Sequence, residues 1–267
     1  MTLFKACAIA FLRFSAIPMP QFQWRDTEKS LSMMFFPLVG AVTGAVCLLV
    51  YNLSMALSFP DMAAAFLIAS LPVIITGGIH LDGYMDVTDA ICSYKDKKQK
   101  LEILKDPHIG AFAVINLVKL TLIYTAALLI LIGDGNREFF YAFCCSFVVS
   151  RSLSVIALLS MKMAKNDGTL YESQAEAKDK KSLVFIVSIL WIIIAAGIMF
   201  FYTPAGGVFS VAAAVISLIG CRRKAYNNFG GITGDVAGYF VVVCEVNMPV
   251  VLVTVSKLLA CIQRFLA

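Results

Sequence analysis

The chain has 267 residues, of which 60% are hydrophobic and only 15% are charged, and its formal net charge is +5. Its mean hydropathy is +0.85, whereas soluble domains are about half apolar and about a quarter charged. This composition excludes an ordinary soluble domain and predicts an all-α fold, a polytopic integral membrane helical bundle. The eight cysteines are scattered without a C-x-x-C pair, so neither a disulfide framework nor a zinc site is expected.

The N-terminal segment, residues 1–32, begins with an apolar stretch that Lys5 and Arg13 interrupt and that ends at Pro18 and Pro20. A cleavable signal peptide has a different pattern, with its charge ahead of one continuous apolar core. We therefore expect an amphipathic helix that lies in the membrane interface.

Seven apolar runs follow, each close to the roughly 20 residues that a helix needs to cross the hydrocarbon. The sixth run is short. The long connections between runs, at 80–111, 161–182 and 221–238, are expected to be cytoplasmic loops. The runs cover residues 33–57, 62–78, 112–132, 139–160, 183–201, 206–220 and 239–260. The sequence thus predicts about seven transmembrane helices in one domain over residues 1–267.

Lysine and arginine concentrate in the N-terminal segment and the three long connections, which hold 17 of the 22 in the chain. The positive-inside rule then predicts that these segments are cytoplasmic and that the C-terminus is outside. Three charged residues lie more than one helical turn from both ends of an apolar run, Lys119, Arg151 and Glu245. Such groups usually face a bundle interior or a watery cavity. Arg151 could meet a phosphate there, or Arg151 or Lys119 could pair with Glu245 and join two helices.

An acidic motif at residues 77–89 follows the second run and contains Asp82, Asp86 and Asp89 without a lysine or arginine. In a helix these positions are i, i+4 and i+7, which places the three carboxylates on one face. Because stacked like charges repel, a hard divalent cation such as Mg2+, which prefers carboxylate oxygens, would compensate them. The motif indicates metal-assisted phosphoryl chemistry, and the alternative is a solvated helix end.

A second polar motif lies at residues 102–111, ahead of the third run. Lys105 and His108 could bind an anionic phosphate. The alternative is that Asp106 and Pro107 cap the following helix, a common use of these residue types.

A third motif, at residues 227–238, is rich in glycine and precedes the last run. Its backbone N–H groups could approach a ligand, and Asp235 could share a metal or contact a nucleotide. However, Gly230, Gly234 and Gly238 recur every fourth residue, which is also the pattern of closely packed membrane helices. Glycines at 40 and 44 in the first run have the same spacing, and spacing alone leaves both interpretations open.

These motifs together resemble the cobalamin synthase (adenosylcobinamide-GDP ribazoletransferase) family. The resemblance is carried by GGIHLDGYMDVTD at 77–89, KDPHIGAF at 105–112 and GGITGD at 230–235. FLRFSAIPMP at 11–20 and FPLVG at 36–40 are similar to that family too. His108 departs from the pattern, because many relatives carry arginine in this turn.

The resemblance implies an enzyme of the bacterial cytoplasmic (inner) membrane whose active site faces the cytoplasm. It would transfer the adenosylcobinamide phosphate moiety of adenosylcobinamide-GDP to alpha-ribazole, or to its 5'-phosphate, and release GMP. Mg2+ is the expected cofactor. The expected partners are these substrates and membrane lipid, without nucleic acid. Whether the protein forms a homo-oligomer stays open.

The patterns described above and the resemblance together give a set of expected site residues. Asp82, Asp86 and Asp89 would be catalytic, with Asp89 either a further metal ligand or the base that takes the ribose hydroxyl proton. The expected metal ligands are Asp82, Asp86, Asp89 and Asp235. The expected substrate-binding residues are Lys105, His108, Arg151, Asn228, Gly231, Thr233 and Asp235.

Two other classes of membrane protein remain as alternatives. A CDP-alcohol phosphotransferase of phospholipid synthesis would use the same metal chemistry, but its second Asp-x-x-x-Asp is not found after the first. An ion-coupled transporter would account for the charges inside the spans but not for three polar motifs on the predicted cytoplasmic side.

Overall fold

The computed structural model describes residues 1–165 and 169–266. Within them the regular elements are helices, apart from one isolated parallel β-bridge between Met163 and Ile232. The α-helices are α1 (Thr2–Phe14), α2 (Asp26–Ser32), α3 (Phe36–Ala56), α4 (Asp61–Thr76), α5 (Ile79–Cys92), α6 (Lys97–Ile103), α7 (Ala111–Gly133), α8 (Arg137–Ser160), α9 (Thr169–Glu176), α10 (Lys181–Tyr202), α11 (Pro204–Asn228) and α12 (Gly234–Leu266). The predicted all-α fold is confirmed.

Six helical stretches in the described residues are long and apolar enough to cross a membrane. They are the stretch from α2 to α3, α7, α8, α10 with the short turn before it, α11 and α12. If the bent pair of α4 and α5 counts as one span, the number of possible spans is seven. The protein is therefore an integral membrane protein with about the predicted number of spans.

The prediction of a loop at 80–111 is wrong in part, because helices α5 and α6 cover most of this segment. Gly77 and Gly78 have φ angles of +65° and +83°, a left-handed backbone that glycine adopts without strain. They end α4 and turn the chain by 93° into α5. Helix α5 then buries Tyr84 and Val87 and packs against α12. Tertiary packing, which sequence spacing does not report, stabilises this helix.

The short sixth span and the loop predicted at 221–238 are also corrected. Helix α11 has 25 residues and continues through Arg222 and Arg223, which lie exposed on its surface. A helix can extend beyond the apolar stretch that crosses the hydrocarbon, so charge does not mark its end. Helix α12 already begins at Gly234. Only residues 229–233 join the two helices.

The connection predicted at 161–182 contains helix α9. A 3-10 turn, Lys178–Lys180, lies between α9 and α10. Residues 166–168 of this predicted loop lie outside the described residues.

Helices α8 and α12 form the centre of the bundle. In their most apolar stretches 89% and 78% of the residues are buried, against 22% for the stretch that contains α10. Helix α3 packs closely on α8. A Cβ atom at Gly40 would collide with the carbonyl oxygen of Phe147, and one at Gly44 would collide with the carbonyl oxygen of Cys144. The close-packing interpretation of Gly40 and Gly44 is therefore confirmed.

The predicted N-terminal helix is present as α1. It buries Ile9 and Phe11 and contacts α2 and α3. Its position in the membrane interface stays a prediction.

Candidate active site

Helices α5 and α12 touch through their backbones, and this contact builds the site. A Cβ atom on Gly83 would lie 2.8 Å from the carbonyl oxygen and 2.9 Å from the Cα atom of Asp235. A Cβ atom on Gly238 would lie 3.2 Å from the carbonyl oxygen of His80. Because no side chain separates the two helices here, Asp235 is held next to the acidic face of α5. The glycine at 238 serves packing, and the packing positions the carboxylate.

Four carboxylates, which we call the acidic cluster, meet at this crossing: Asp82, Asp86, Asp89 and Asp235. Asp86 is half-buried and lies within electrostatic range of the three others. Asp82 also acts on Asp235. The structure thus unites the first and third sequence motifs.

The chemistry of the acidic cluster fits a hard cation such as Mg2+. All four side chains offer carboxylate oxygens, the ligands that Mg2+ prefers, and a cation would relieve their mutual repulsion. In the described part of the chain, no three His, Cys, Asp or Glu side chains already stand in the arrangement of a metal-binding group. The side chains would therefore have to adjust around an ion.

A cavity of about 280 Å³ lies beside the acidic cluster, and we call it the acidic cavity. Asp82, Asp235, His80 and Arg13 are among its lining residues. The Arg13 guanidinium donates two hydrogen bonds to Glu176, with N–O distances of 2.9 and 3.2 Å. Sequence reasoning missed Arg13 as a site residue, although it belongs to the FLRFSAIPMP stretch that carries part of the family resemblance.

The turn between α11 and α12 is fixed by backbone pairing. The Ile232 N–H donates to the Lys162 carbonyl and the Ala164 N–H donates to the Ile232 carbonyl, both at 2.9 Å. Gly231 passes so close to residues 162–164 that a Cβ atom would collide with their backbone. Gly231 therefore supports the turn that presents Asp235.

Thr233 caps the start of α12. Its hydroxyl oxygen accepts a hydrogen bond from the Val236 N–H at 3.2 Å, and its side chain is buried. A threonine in this position satisfies one of the first free N–H groups of a helix. Thr233 thus orients the helix turn that carries Asp235.

Asn228 is the last residue of α11 and ties this helix to α6. The Lys100 ammonium donates to its side-chain oxygen at 2.7 Å, and its amide donates to the Lys224 carbonyl at 2.9 Å. Lys165 donates to the Leu101 carbonyl at 3.1 Å and acts electrostatically on Asp235.

The cation-rich segments meet at one end of the bundle. The pairs Arg13–Glu176 and Lys100–Asn228 join the N-terminal segment to α9 and α6 to α11. The acidic cluster lies at this end. A different pair, Lys257–Asp134, joins α12 to the turn after α7, away from the cluster.

The second sequence motif lies next to Asp89. The Asp89 carboxylate stands directly against Gly110, so that a Cβ atom there would overlap it. His108 is exposed, and its Nδ1 is 2.7 Å from an Asp106 carboxylate oxygen. The pKa of Asp106 is lowered by hydrogen bonds from the His108 backbone N–H and ring.

The capping interpretation of Asp106 and Pro107 is wrong, because α7 begins after Gly110 without a side-chain cap. Lys105 lies exposed in the same segment. Both Lys105 and His108 are therefore accessible at the surface of the protein.

Arg151 forms a buried ion pair with Glu245 that joins α8 to α12. Ser150 also donates to Glu245, at 2.9 Å. This is the helix-joining arrangement that the sequence left open for Arg151. Lys119 has no part in it, since it is exposed and donates to Asn116 on its own helix at 2.6 Å. Arg151 does not line the acidic cavity but a neighbouring one.

The fold and the site define a polytopic membrane protein with an acidic cluster at the cation-rich end of its helical bundle. The chain matches the family model described as Cobalamin-5-phosphate synthase over residues 6–253. It therefore belongs to this family, which confirms the resemblance seen in its motifs.

Similar curated proteins include three named adenosylcobinamide-GDP ribazoletransferase. The one from Lachnoclostridium phytofermentans is 39% identical over 237 residues, covering 89% of this chain and 88% of the relative. The one from Clostridium botulinum is 33% identical over 246 residues, covering 91% and 95%. The one from Geobacillus kaustophilus is 32% identical over 237 residues, covering 86% and 88%. No solved structure matches the chain.

Proposed function

We propose that the chain is an adenosylcobinamide-GDP ribazoletransferase that transfers the adenosylcobinamide phosphate moiety to alpha-ribazole or its 5'-phosphate. The products would be GMP and adenosylcobalamin or its 5'-phosphate. Family membership over nearly the whole chain supports this activity. The observation that carries it is the Gly83–Asp235 contact, which brings two acidic motifs distant in sequence into one cluster.

Mg2+ is the proposed cofactor, held by Asp82, Asp86 and Asp235, with Asp89 as a further candidate ligand. When bound, it would supply charge neutralisation for the diphosphate and the departing GMP phosphate. The repulsion among the four carboxylates and their all-oxygen donor set support this assignment.

The chain's own residues would position the substrates and move one proton. Arg13 lines the acidic cavity and could exchange Glu176 for a diphosphate oxygen, because guanidinium binds either group with paired hydrogen bonds. Lys105 and His108 are accessible from the aqueous side and could contact the nucleotide phosphates. Thr233, Gly231 and Asn228 would act by holding the α11–α12 turn in place.

Asp89 has two candidate roles, a metal ligand or the base that accepts the ribose hydroxyl proton. Its contact with Gly110 places it where the second motif meets the acidic cluster. An Asp89→Asn variant separates the roles. Rescue of its rate by excess Mg2+ indicates a ligand, whereas a loss that excess Mg2+ does not change and that alters the pH profile indicates the base.

We further propose that the acidic cluster faces the cytoplasm in the bacterial cytoplasmic membrane. The cation-rich segments that the positive-inside rule assigns to the cytoplasm contact one another at the end where the cluster lies. Soluble nucleotide substrates would then reach the site directly.

The two other classes are not favoured. The matched family and the named relatives belong to neither. The Arg151–Glu245 pair already accounts for two of the three charges that lie deep in the spans, and the third, Lys119, is exposed.

The test is GMP release by the purified protein. Release should require adenosylcobinamide-GDP, alpha-ribazole and Mg2+ together, and one molecule of the cobalamin product should form for each GMP. Hydrolysis of the donor without alpha-ribazole, or the absence of product under all three conditions, would contradict the proposal.

A further inference from the structure

A second cavity, of about 360 Å³, lies inside the bundle between α4, α5, α7, α8 and α12. Apolar side chains form most of its wall. Its rim includes the exposed residues Ile74 of α4 and Thr121 of α7, so it opens where these helices meet. Cavities of this size and character are typical of sites for small molecules. We call it the inner cavity.

Polar atoms without partners line the inner cavity. They are His80 Nε2, the Tyr124 hydroxyl, the Thr125 hydroxyl, and Nε and one terminal nitrogen of Arg151, none of which has a hydrogen-bond partner among the described residues. The exposed fractions of His80, Tyr124 and Arg151 are only 8%, 8% and 0%. Buried polar groups are nearly always paired, because leaving one unpaired is costly. The cluster therefore indicates a ligand that accepts hydrogen bonds.

The charge of the wall restricts this ligand. Arg151 is the fixed cation in the lining, and it is paired with Glu245, which also lines the cavity. The site thus offers hydrogen-bond donors but little net positive charge, and the Glu245 carboxylate would repel an anion. An uncharged, largely apolar molecule with a hydrogen-bond acceptor fits better than a phosphate.

The inner cavity adjoins the acidic cavity. His80 lines both, and the acidic cavity also contains Asp82 and Asp235. A molecule bound in the inner cavity next to His80 could therefore extend a polar end toward the acidic cluster.

We propose that the inner cavity binds the aromatic base of the acceptor nucleoside, with its ribose directed past His80 toward the acidic cluster. This inference rests on the proposed function, whose other substrate carries an anionic diphosphate. A benzimidazole-type base is flat, uncharged and apolar, and its free ring nitrogen accepts a hydrogen bond from a group such as the Tyr124 hydroxyl. The acidic cavity then stays available for the charged donor.

Two variants of the full-length protein test this site. Tyr124→Phe removes a hydroxyl that has no partner in the described residues. It should weaken alpha-ribazole binding about threefold to tenfold, the effect of one lost hydrogen bond. Ala69→Leu adds volume at the apolar wall and should weaken binding further. Tyr141→Phe is the matched control, since Tyr141 faces Tyr202 outside the inner cavity.

Binding is measured on purified protein with alpha-ribazole and no donor, so that it does not depend on turnover. In the transfer assay the same variants should raise KM for alpha-ribazole and leave KM for the donor unchanged. Unfolding temperatures like that of wild type would separate these effects from misfolding.

Three results would overturn the proposal. The first is unchanged alpha-ribazole binding in both variants, and the second is no binding by wild type. The third is a co-purifying membrane lipid that Ala69→Leu displaces while nucleoside binding stays normal, which would make the cavity a lipid site.

The proposed function and the proposed base site can fail separately. Binding that depends on Tyr124 without any GMP release contradicts the transfer activity alone, whereas normal transfer with unchanged KM in both variants contradicts the base site alone.

Discussion

A methyl group at Gly83 should disrupt the active site more than it disrupts the fold. In a Gly83→Ala variant the new Cβ would lie 2.8 Å from the Asp235 carbonyl oxygen, about 0.6 Å inside the ordinary contact distance of 3.4 Å. Because both neighbours are helix backbone, relief requires α5 and α12 to move apart. Asp235 would then shift away from Asp82 and Asp86.

The cost in stability should be moderate. Overpacking of a core costs about 1–3 kcal/mol, and replacing glycine by alanine inside a helix returns about 1 kcal/mol through helix propensity. We expect a net loss of about 0–2 kcal/mol in the free energy of unfolding. Catalysis is more sensitive, since a displacement of about 1 Å can reduce a rate about 100-fold. The transfer rate should therefore fall at least about tenfold.

The assay compares initial rates of GMP release and unfolding temperatures for wild type, Gly83→Ala and Gly220→Ala. Gly220 is the matched control, because it also lies inside a helix but a Cβ there meets nothing within 4 Å. Gly220→Ala should keep the wild-type rate. A Gly83→Ala protein with a wild-type rate would refute the argument that this backbone contact positions the acidic cluster.

Three further predictions concern the metal, the core and the topology. Asp82→Asn should reduce transfer by at least about 100-fold at limiting Mg2+ while the protein inserts normally, and near wild-type turnover would remove Asp82 from the site. Glu245→Gln should lower the free energy of unfolding by about 3–5 kcal/mol because it leaves Arg151 buried without its counter-ion, measured by denaturation in detergent; an unchanged midpoint would show that the pair contributes little. In a background without native cysteines, a cysteine replacing Gln99 should be labelled from the cytoplasmic side and one replacing Gly135 from the outside, and the opposite result would invert the topology.

The sequence predicted the spans and the acidic face because both depend on local patterns. Apolar length identifies a membrane helix, and the spacing of Asp82, Asp86 and Asp89 needs only helical geometry. Helix α5 itself was harder to predict as part of the bundle. Its stability comes from contact with α12, a partner more than a hundred residues away in the chain.

The glycine-rich motif shows why the rest could not be predicted. Spacing could not decide between packing and binding at Gly238, and the structure joins the two, since packing there brings Asp235 to the cluster. Arg13 was missed for a similar reason. Only tertiary structure places the end of α1 at the same cavity as α5 and α12. The end of α11 was misjudged because the exposed cations Arg222 and Arg223 continue the helix beyond its apolar stretch.

The central claim is that carboxylates from α5 and α12 form one transfer site, and a double-mutant cycle tests it most directly. Transfer rates are measured at one fixed, limiting Mg2+ concentration for wild type, Asp86→Asn, Asp235→Asn and the double variant. If both residues serve one site, each single variant should lose at least about 100-fold and the double variant little more than the worse single one. Losses that multiply in the double variant would contradict the account, because they would mean that Asp86 and Asp235 act independently.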